Sequence, residues 1–296
     1  MIRFGRDVRR RLKDRVMAVS ALACVALALV PLGSIVYTVV VRGASVVNPE
    51  FFTQIQPIPC SPGANLTCAQ GGIGNAIVGT FLLLGLSSAI AIPLGLLAGI
   101  YLAEYGKGPL VFAVRFFADV MTGLPSIVMG LFIFATFQLA FPGFVFSAIA
   151  GALALAVIII PFVARTSEEA LRLVPGSIRE AALALGVPKY RVTVRVVLSS
   201  AREGIVTGAL LAMARVGGET APLLLTAGGN SFYSVRLDQP IAAMSLVIYN
   251  FATTPYANWN ALAWGAALLL VMIMLGLSIA ARFLLRHRFH EQRIRG

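Results

Sequence analysis

Charge is what this 296-residue chain has least of: only 12% of its residues are Asp, Glu, Lys or Arg, against roughly 25% in an ordinary soluble domain. So little charge cannot clothe a water-facing surface of this size, which excludes a soluble globular protein. A disordered chain is excluded by the converse numbers, since 58% of residues are apolar and the mean hydropathy is +0.88. Cysteine occurs three times, at positions 24, 60 and 68. Cys24 lies in an apolar run and is expected to be a small apolar filler. Cys60 and Cys68 fall beside Pro57, Pro59 and Pro62 in a polar stretch, where an oxidising compartment could join them. A phosphate-binding G-x-x-x-x-G-K-[ST] loop is also missing, since Gly106-Lys107-Gly108 has neither the upstream glycine spacing nor the hydroxyl. Any ATP hydrolysis is therefore expected to come from a partner, and no metal centre or catalytic group is expected in this chain.

What the sequence has instead is long apolar runs. Six stand out, at about 17–41, 73–102, 117–140, 145–163, 203–226 and 260–283. Each reaches the length that a helix rising 1.5 Å per residue needs to cross about 30 Å of hydrocarbon. The expected architecture is an all-α polytopic membrane protein with six transmembrane helices. Pro31, Pro93, Pro125, Pro161 and Pro222 lie in or beside these runs, where neighbouring helices can satisfy the carbonyls that proline frees. The first run is too long for the apolar segment of a cleaved signal peptide and is read as a retained helix.

Basic residues set the orientation. Seven precede the first run (Arg3, Arg6, Arg9, Arg10, Arg11, Lys13, Arg15). Lys107 and Arg115 follow the second, seven lie in 164–202, and five close the chain. Only Arg42 and Arg236 fall in the opposite loops. The positive-inside rule then places both termini in the cytoplasm, which requires an even number of spans. On this reading the net charge of +12 is an orientation and lipid-headgroup signal, not a nucleic-acid footprint. The chain divides into a basic N-terminus (1–16), a first helix (17–41), an external loop (42–72), a five-helix core (73–284) with a cytoplasmic loop at 164–202, and a C-terminal tail (285–296).

That cytoplasmic loop is expected to hold short helices. Ser177-Ile178-Arg179-Glu180 reads as a capping box opening a helix that Gly186 ends in the left-handed conformation and Pro188 terminates. Its apolar face, formed by Ala181, Ala182, Leu185 and Val187, must dock against something, because two turns do not persist alone in water. Thr166–Leu173 is expected to form a second short helix with a hydroxyl cap.

In the fifth run, Arg215 and Glu219 form an acidic–basic pair at helical spacing. An arginine at mid-bilayer costs about 2.5–3.5 kcal/mol on insertion scales, so such groups mark substrate paths and face a cavity. Arginine suits a tetrahedral oxyanion, because its fork makes two charge-assisted bonds. A carboxylate beside it can accept a hydrogen bond from a protonated phosphate, which sulfate cannot offer. Gly204/Gly208 and Gly95/Gly99 are small-residue pairs that permit close helix contact.

Two sets of residues resemble known proteins. Glu180-Ala181-Ala182, Gly186 and Val196-x-Leu198 are similar to the EAA loop of ABC importer permeases, with Ser199 in place of that pattern's usual proline. The run Ala214-Arg215-Val216-Gly217-Gly218-Glu219-Thr220-Ala221-Pro222 resembles the signature of phosphate-specific ABC permeases, most of all the A-type subunit of the phosphate-specific transport system. Ile100–Tyr105, Gly123–Phe132 and Ile248-Tyr249-Asn250 agree with it. The resemblance covers roughly residues 70–285. It implies a type I importer half-pore in a bacterial plasma membrane, paired with a second, homologous permease, two cytoplasmic ATPase subunits that use ATP and magnesium, and an extracytoplasmic phosphate-binding protein. It implies no bound cofactor for this chain. Glu180, Ala181, Ala182 and Gly186 would dock on the ATPase. Arg215, Glu219 and Thr220 would face the substrate path, with Asp119, Thr122 and Ser126 as further lining residues. The competing expectations are a permease for molybdate, tungstate or sulfate, and a passive channel or membrane scaffold.

Overall fold

A computed structural model of the chain describes residues 2–59 and 71–294. Cys60 and Cys68 lie outside the described residues. The described chain is helical, and its sole strand-like feature is an isolated bridge between Gly228 and Ile241. The helices are α1 (Ile2–Ala44), α2 (Pro49–Thr53), α3 (Gly74–Ile100), α4 (Pro109–Gly123), α5 (Ser126–Ala140), α6 (Ala148–Arg172), α7 (Gly176–Ala184), α8 (Lys189–Arg191), α9 (Leu198–Val216), α10 (Ala221–Thr226), α11 (Met244–Ala252) and α12 (Ala257–Ile294).

Among the described residues, five helical stretches are long and apolar enough to cross a membrane: Leu12–Ala44, Gly74–Tyr105, Ala148–Arg172, Lys189–Val216 and Ala257–Phe283. The sixth expected span is not one rod. α4 and α5 meet at 106°, because Leu124 and Pro125 are extended (ψ 144° and 132°) and proline cannot continue the ladder of α4. The fifth span also differs from its expected bounds of 203–226. It begins at Lys189 through a π-turn over Val192–Val197, ends at Val216, and gives way to the separate helix α10.

α6 is the axis of the bundle. Its alanines and Gly151 are buried along most of its length, and small residues let neighbouring backbones come close without a hydrophobic drive from lipid. A Cβ on Gly95 or Gly99 of α3 would stand 2.8 Å from Val163 Cβ or 2.7 Å from Ser167 Cβ. One on Gly204 or Gly208 of α9 would stand 2.9 Å from Ala170 Cβ or 2.6 Å from Thr166 Oγ1. The two glycine pairs therefore serve as helix contacts on two sides of α6. The central core joins Leu83, Leu155, Ile159, Val163, Val216, Leu223 and Ile241.

At the end where α6 begins, the 227–243 segment turns back into the bundle. Gly228 and Gly229 adopt φ of 71° and 75°, open to glycine at no steric cost. The returning segment gives its carbonyls to the first amides of α6: Ala148 N donates to Gln239 O at 3.0 Å and Ile149 N to Leu237 O at 3.1 Å. Ser147 Oγ accepts from Ala150 N at 3.2 Å, completing the cap. Outside this body, α1 leans on α12 through Gly43 beside Leu268, with the Arg42 guanidinium 5.1 Å above the Trp264 ring. No residue of its most apolar 18-residue stretch is buried within the chain.

The boundaries of the loop at 164–202 contract. Thr166–Leu173 is not a separate capped helix but the last turns of α6, where Thr166 Oγ1 donates to Phe162 O at 3.0 Å. Lys189–Leu198 already belongs to the next span, and α1 runs unbroken across the expected boundary at 16/17. α12 likewise continues past 284 to Ile294.

Candidate functional site

Two helix breaks meet half-way along α6. The first is the elbow between α4 and α5. The second follows Val216, where Gly217 N donates to Met213 O and Glu219 N to Val216 O, after which Pro222 opens α10 at a position that lacks nothing by losing its N–H. Gly217 is hemmed in: a Cβ there would stand 2.3 Å from Met274 Cε and 3.1 Å from Leu84 Cδ1. α5 crosses α10 so closely that a Cβ on Gly130 would stand 2.5 Å from Pro222 Cα. The two breaks leave between them a cleft of about 110 Å³, lined by Thr122 and Ser126 from the elbow, Arg215 and Glu219 from the second break, and Phe162 and Ile159 from α6. It has room for a small polar ion and a few waters.

The pairing expected for Arg215 and Glu219 is not formed. The helix ends between them, so the four-residue spacing no longer puts them on one face, and no ion pair joins them among the described residues. The Arg215 guanidinium instead lies 5.9 Å from the Phe162 ring, and no described carboxylate is within ion-pair distance of it. The Glu219 carbonyl accepts from Ser245 Oγ at 3.1 Å, which fixes the backbone of the break. Arg215 is exposed in this chain and lies on the cleft wall, so its guanidinium is open to an anionic group.

The other expected lining residues separate. Thr122 and Ser126 line the cleft. Thr220 does not; it is the residue before α10, and its carbonyl accepts from Leu224 N at 3.0 Å. Asp119 is also outside the cleft, because Arg165 holds it at 2.9 Å. That pair is the edge of a larger cluster that sequence reasoning missed. Glu168, whose side chain is 2% exposed, meets Arg115 at 2.7 Å, Arg172 at 2.8 Å and Arg165 at 3.2 Å. The spacings Arg165-x-x-Glu168 and Glu168-x-x-x-Arg172 were the available signal; the reach across to Arg115 on α4 had none.

The helix expected to dock, α7, forms, with its ends changed. Its N-terminus is Pro175–Gly176 with no side-chain cap, so Ser177 does not make the expected capping box. Its C-terminus is as expected: Gly186 has φ +77°, Gly186 N donates to Leu183 O at 2.9 Å and Val187 N to Ala182 O at 3.4 Å, the two bonds of a Schellman motif. The expected apolar face divides. Ala182 and Val187 pack inward on the cluster of Leu171, Val174, Val192 and Val197. Glu180, Ala181 and Leu185 face outward, and Leu185 is 84% exposed.

Residues 91–295 match the family described as binding-protein-dependent transport system inner membrane component. The phosphate transport system permease protein PstA of Xylella fastidiosa is 45% identical over 249 residues, covering 84% of each chain. That of Yersinia pestis is 42% identical over 282 residues, covering 95% of this chain and 92% of the relative. The chain belongs to the PstA family. PstA 1 of Mycobacterium tuberculosis, at 39% identity over 278 residues, is a more distant relative. Among solved structures, the inward-facing MetNI methionine ABC transporter aligns with a TM-score of 0.57 at 19% identity, over 71% of this chain and 94% of that one. The chain thus has the fold of an ABC importer permease and is a multi-pass membrane protein. The family match takes in the cleft, the elbow and α7, and leaves out α1 and the segment after it.

Proposed function

We propose that this chain is the membrane permease subunit of an ATP-driven importer of inorganic phosphate, with the cleft as its half of the translocation path. The observation that carries the reading is Arg215: an exposed guanidinium without a described counter-ion, beside the middle of α6 and facing a cleft that also holds two hydroxyls and a carboxylate. Phosphate completes this set. Its oxyanion takes the two charge-assisted bonds of the guanidinium, Ser126 adds a hydroxyl donor, and Glu219 accepts from the proton that phosphate retains near neutral pH, while Thr122 Oγ1, which donates to Asp119 O at 2.8 Å, forms part of the wall. The PstA relatives support phosphate over the other tetrahedral oxyanions.

The chain has no nucleotide-binding loop, so a partner ATPase supplies the energy, using ATP and magnesium. The outward residues of α7, Glu180 and Ala181, with Gly186 fixing its end, seat in that ATPase; Ala182 holds the helix to its own bundle. A second, homologous permease completes the cleft, and an extracytoplasmic binding protein delivers phosphate. The basic end, with both termini, lies in the cytoplasm.

The test is uptake of labelled inorganic phosphate by the reconstituted complex. Arg215→Gln removes a charged donor from an apolar site, a loss of about 1.5–3 kcal/mol, and is expected to lower uptake at limiting phosphate by at least about tenfold, with assembly unchanged. Normal uptake by Arg215→Gln overturns the assignment of the site. Uptake that molybdate, tungstate or sulfate suppresses and phosphate does not overturns the substrate. ATP-independent flux overturns the importer in favour of a channel.

A further inference from the structure

The break that carries Arg215 and Glu219 is far along the chain from α7, and the covalent route between them is the long helix leading into α9. The structure offers a second connection. α3 ends in a π-turn over Tyr101–Tyr105, closed by Gly106 N donating to Tyr101 O at 2.6 Å. π-turns are rare and recur at functional sites. This one delivers Glu104, a carboxylate only 7% exposed, to the root of α7. There Arg179 donates to it twice, from Nε at 3.0 Å and from Nη2 at 2.7 Å. The same guanidinium donates to Leu171 O at 2.7 Å and to Val174 O. One arginine thus ties α7 to the end of α3 and to the end of α6. A second tie lies beside it, where Tyr105 OH meets Thr193 Oγ1 at 3.3 Å and Lys189 Nζ lies 4.8 Å over the Tyr105 ring. Thr193 belongs to the other π-turn, the one that opens the span of α9.

α3 does not line the cleft but touches the break beside it. Gly95 and Gly99 seat it against α6 without slack, and Leu84 lies under Gly217, the first residue of the break. A displacement of α7 that reaches Glu104 therefore moves α3, and α3 presses on the break that positions Arg215 and Glu219.

We propose that Glu104 and Arg179 form a coupling clamp: positioning residues that touch neither substrate nor ATPase, but convert motion of α7 into motion of α3 and so into access to the cleft. This rests on the proposed function and adds to it the residues that transmit the stroke. Long side chains held by a fork of four hydrogen bonds suit this task better than apolar contact, because they fix direction as well as distance.

The experiment measures labelled inorganic phosphate taken up per ATP hydrolysed by the complete reconstituted transporter, with co-purification of the ATPase as the control for assembly. Glu104→Gln and Arg179→Gln are expected to keep the ATPase bound and hydrolysing, while uptake per ATP falls about tenfold, the size of a typical coupling free energy. Glu104→Asp keeps the charge and shortens the reach by one methylene; it folds even where Glu104→Gln does not, and is expected to lose about threefold. A merely structural role would lower assembly and uptake together and leave uptake per ATP unchanged. An unchanged ratio in Glu104→Asp and in whichever Gln variant assembles overturns the clamp. If the unaltered transporter itself takes up no phosphate, the proposed function fails instead, so the two failures are told apart.

Discussion

Substituting Glu168 by Gln isolates the largest single electrostatic feature of the fold. The side chain keeps its shape and loses its charge, at a site 2% exposed and within 3.2 Å of three guanidinium groups. Removing one partner from a buried pair costs about 3–5 kcal/mol, because the remaining charge is left uncompensated. Here the arginines are partly open, at 30%, 31% and 54% exposure, so water recovers part of the loss. The lower bound, about 3 kcal/mol, is the expected effect. For a chain of this size that lowers the melting temperature by roughly 5 °C. The assay is thermal unfolding of the purified chain in detergent, followed by size-exclusion recovery after heating. Asp119→Asn is the internal comparison: that carboxylate is 56% exposed and meets one arginine, so its loss is about 1 kcal/mol or less. The reasoning fails if Glu168→Gln melts within about 2 °C of the unaltered chain, or no lower than Asp119→Asn.

Two further substitutions probe backbone geometry. Gly99→Ala puts a methyl 2.7 Å from Ser167 Cβ and 2.8 Å from Ala164 O and is expected to destabilise by about 1–3 kcal/mol. Gly85→Ala in the same helix meets nothing within 4 Å and is expected to gain up to about 1 kcal/mol; equal melting temperatures for the two would refute the close contact of α3 with α6. Gly186→Leu meets no neighbour either, yet its φ of +77° costs a branched residue about 1–2 kcal/mol. ATPase co-purification is therefore expected to weaken in the order Gly, Asn, Leu at 186, and equal recovery of all three would remove the turn from the docking argument.

The spans were legible from run length and from the one-sided placement of arginine and lysine, because hydrocarbon thickness and charge cost act on any sequence alike. The left-handed turn at Gly186 was legible because few residues tolerate that backbone. The breaks were not. Leu124-Pro125 and Gly217-Gly218 sit inside runs long enough to read as single spans, and whether proline or glycine kinks a helix or splits it depends on what packs around it. Helical spacing therefore placed Arg215 and Glu219 on a shared face that the backbone does not provide. Ser177 failed as a cap for a related reason: Pro175 already sets the helix start, and Arg179, drawn to Glu104 on another helix, binds the carbonyls nearby. The cross-helix carboxylate clusters had no period to reveal them, since their partners lie 53 and 75 positions apart.

The glycines that flank α6 bear on how this sequence can diverge. Positions 95, 99, 204 and 208 each face a particular α6 residue across a gap with no spare volume. A larger side chain at 204 or 208 is tolerated only with a simultaneous reduction at 170 or 166, whereas at 95 and 99 the α6 carbonyls of Ile160 and Ala164, at 2.9 and 2.8 Å, close the space whatever stands at 163 or 167. Across many descendants of a common ancestor, these positions should therefore change in matched pairs or not at all, while Gly85, a few residues away on the same helix, drifts freely.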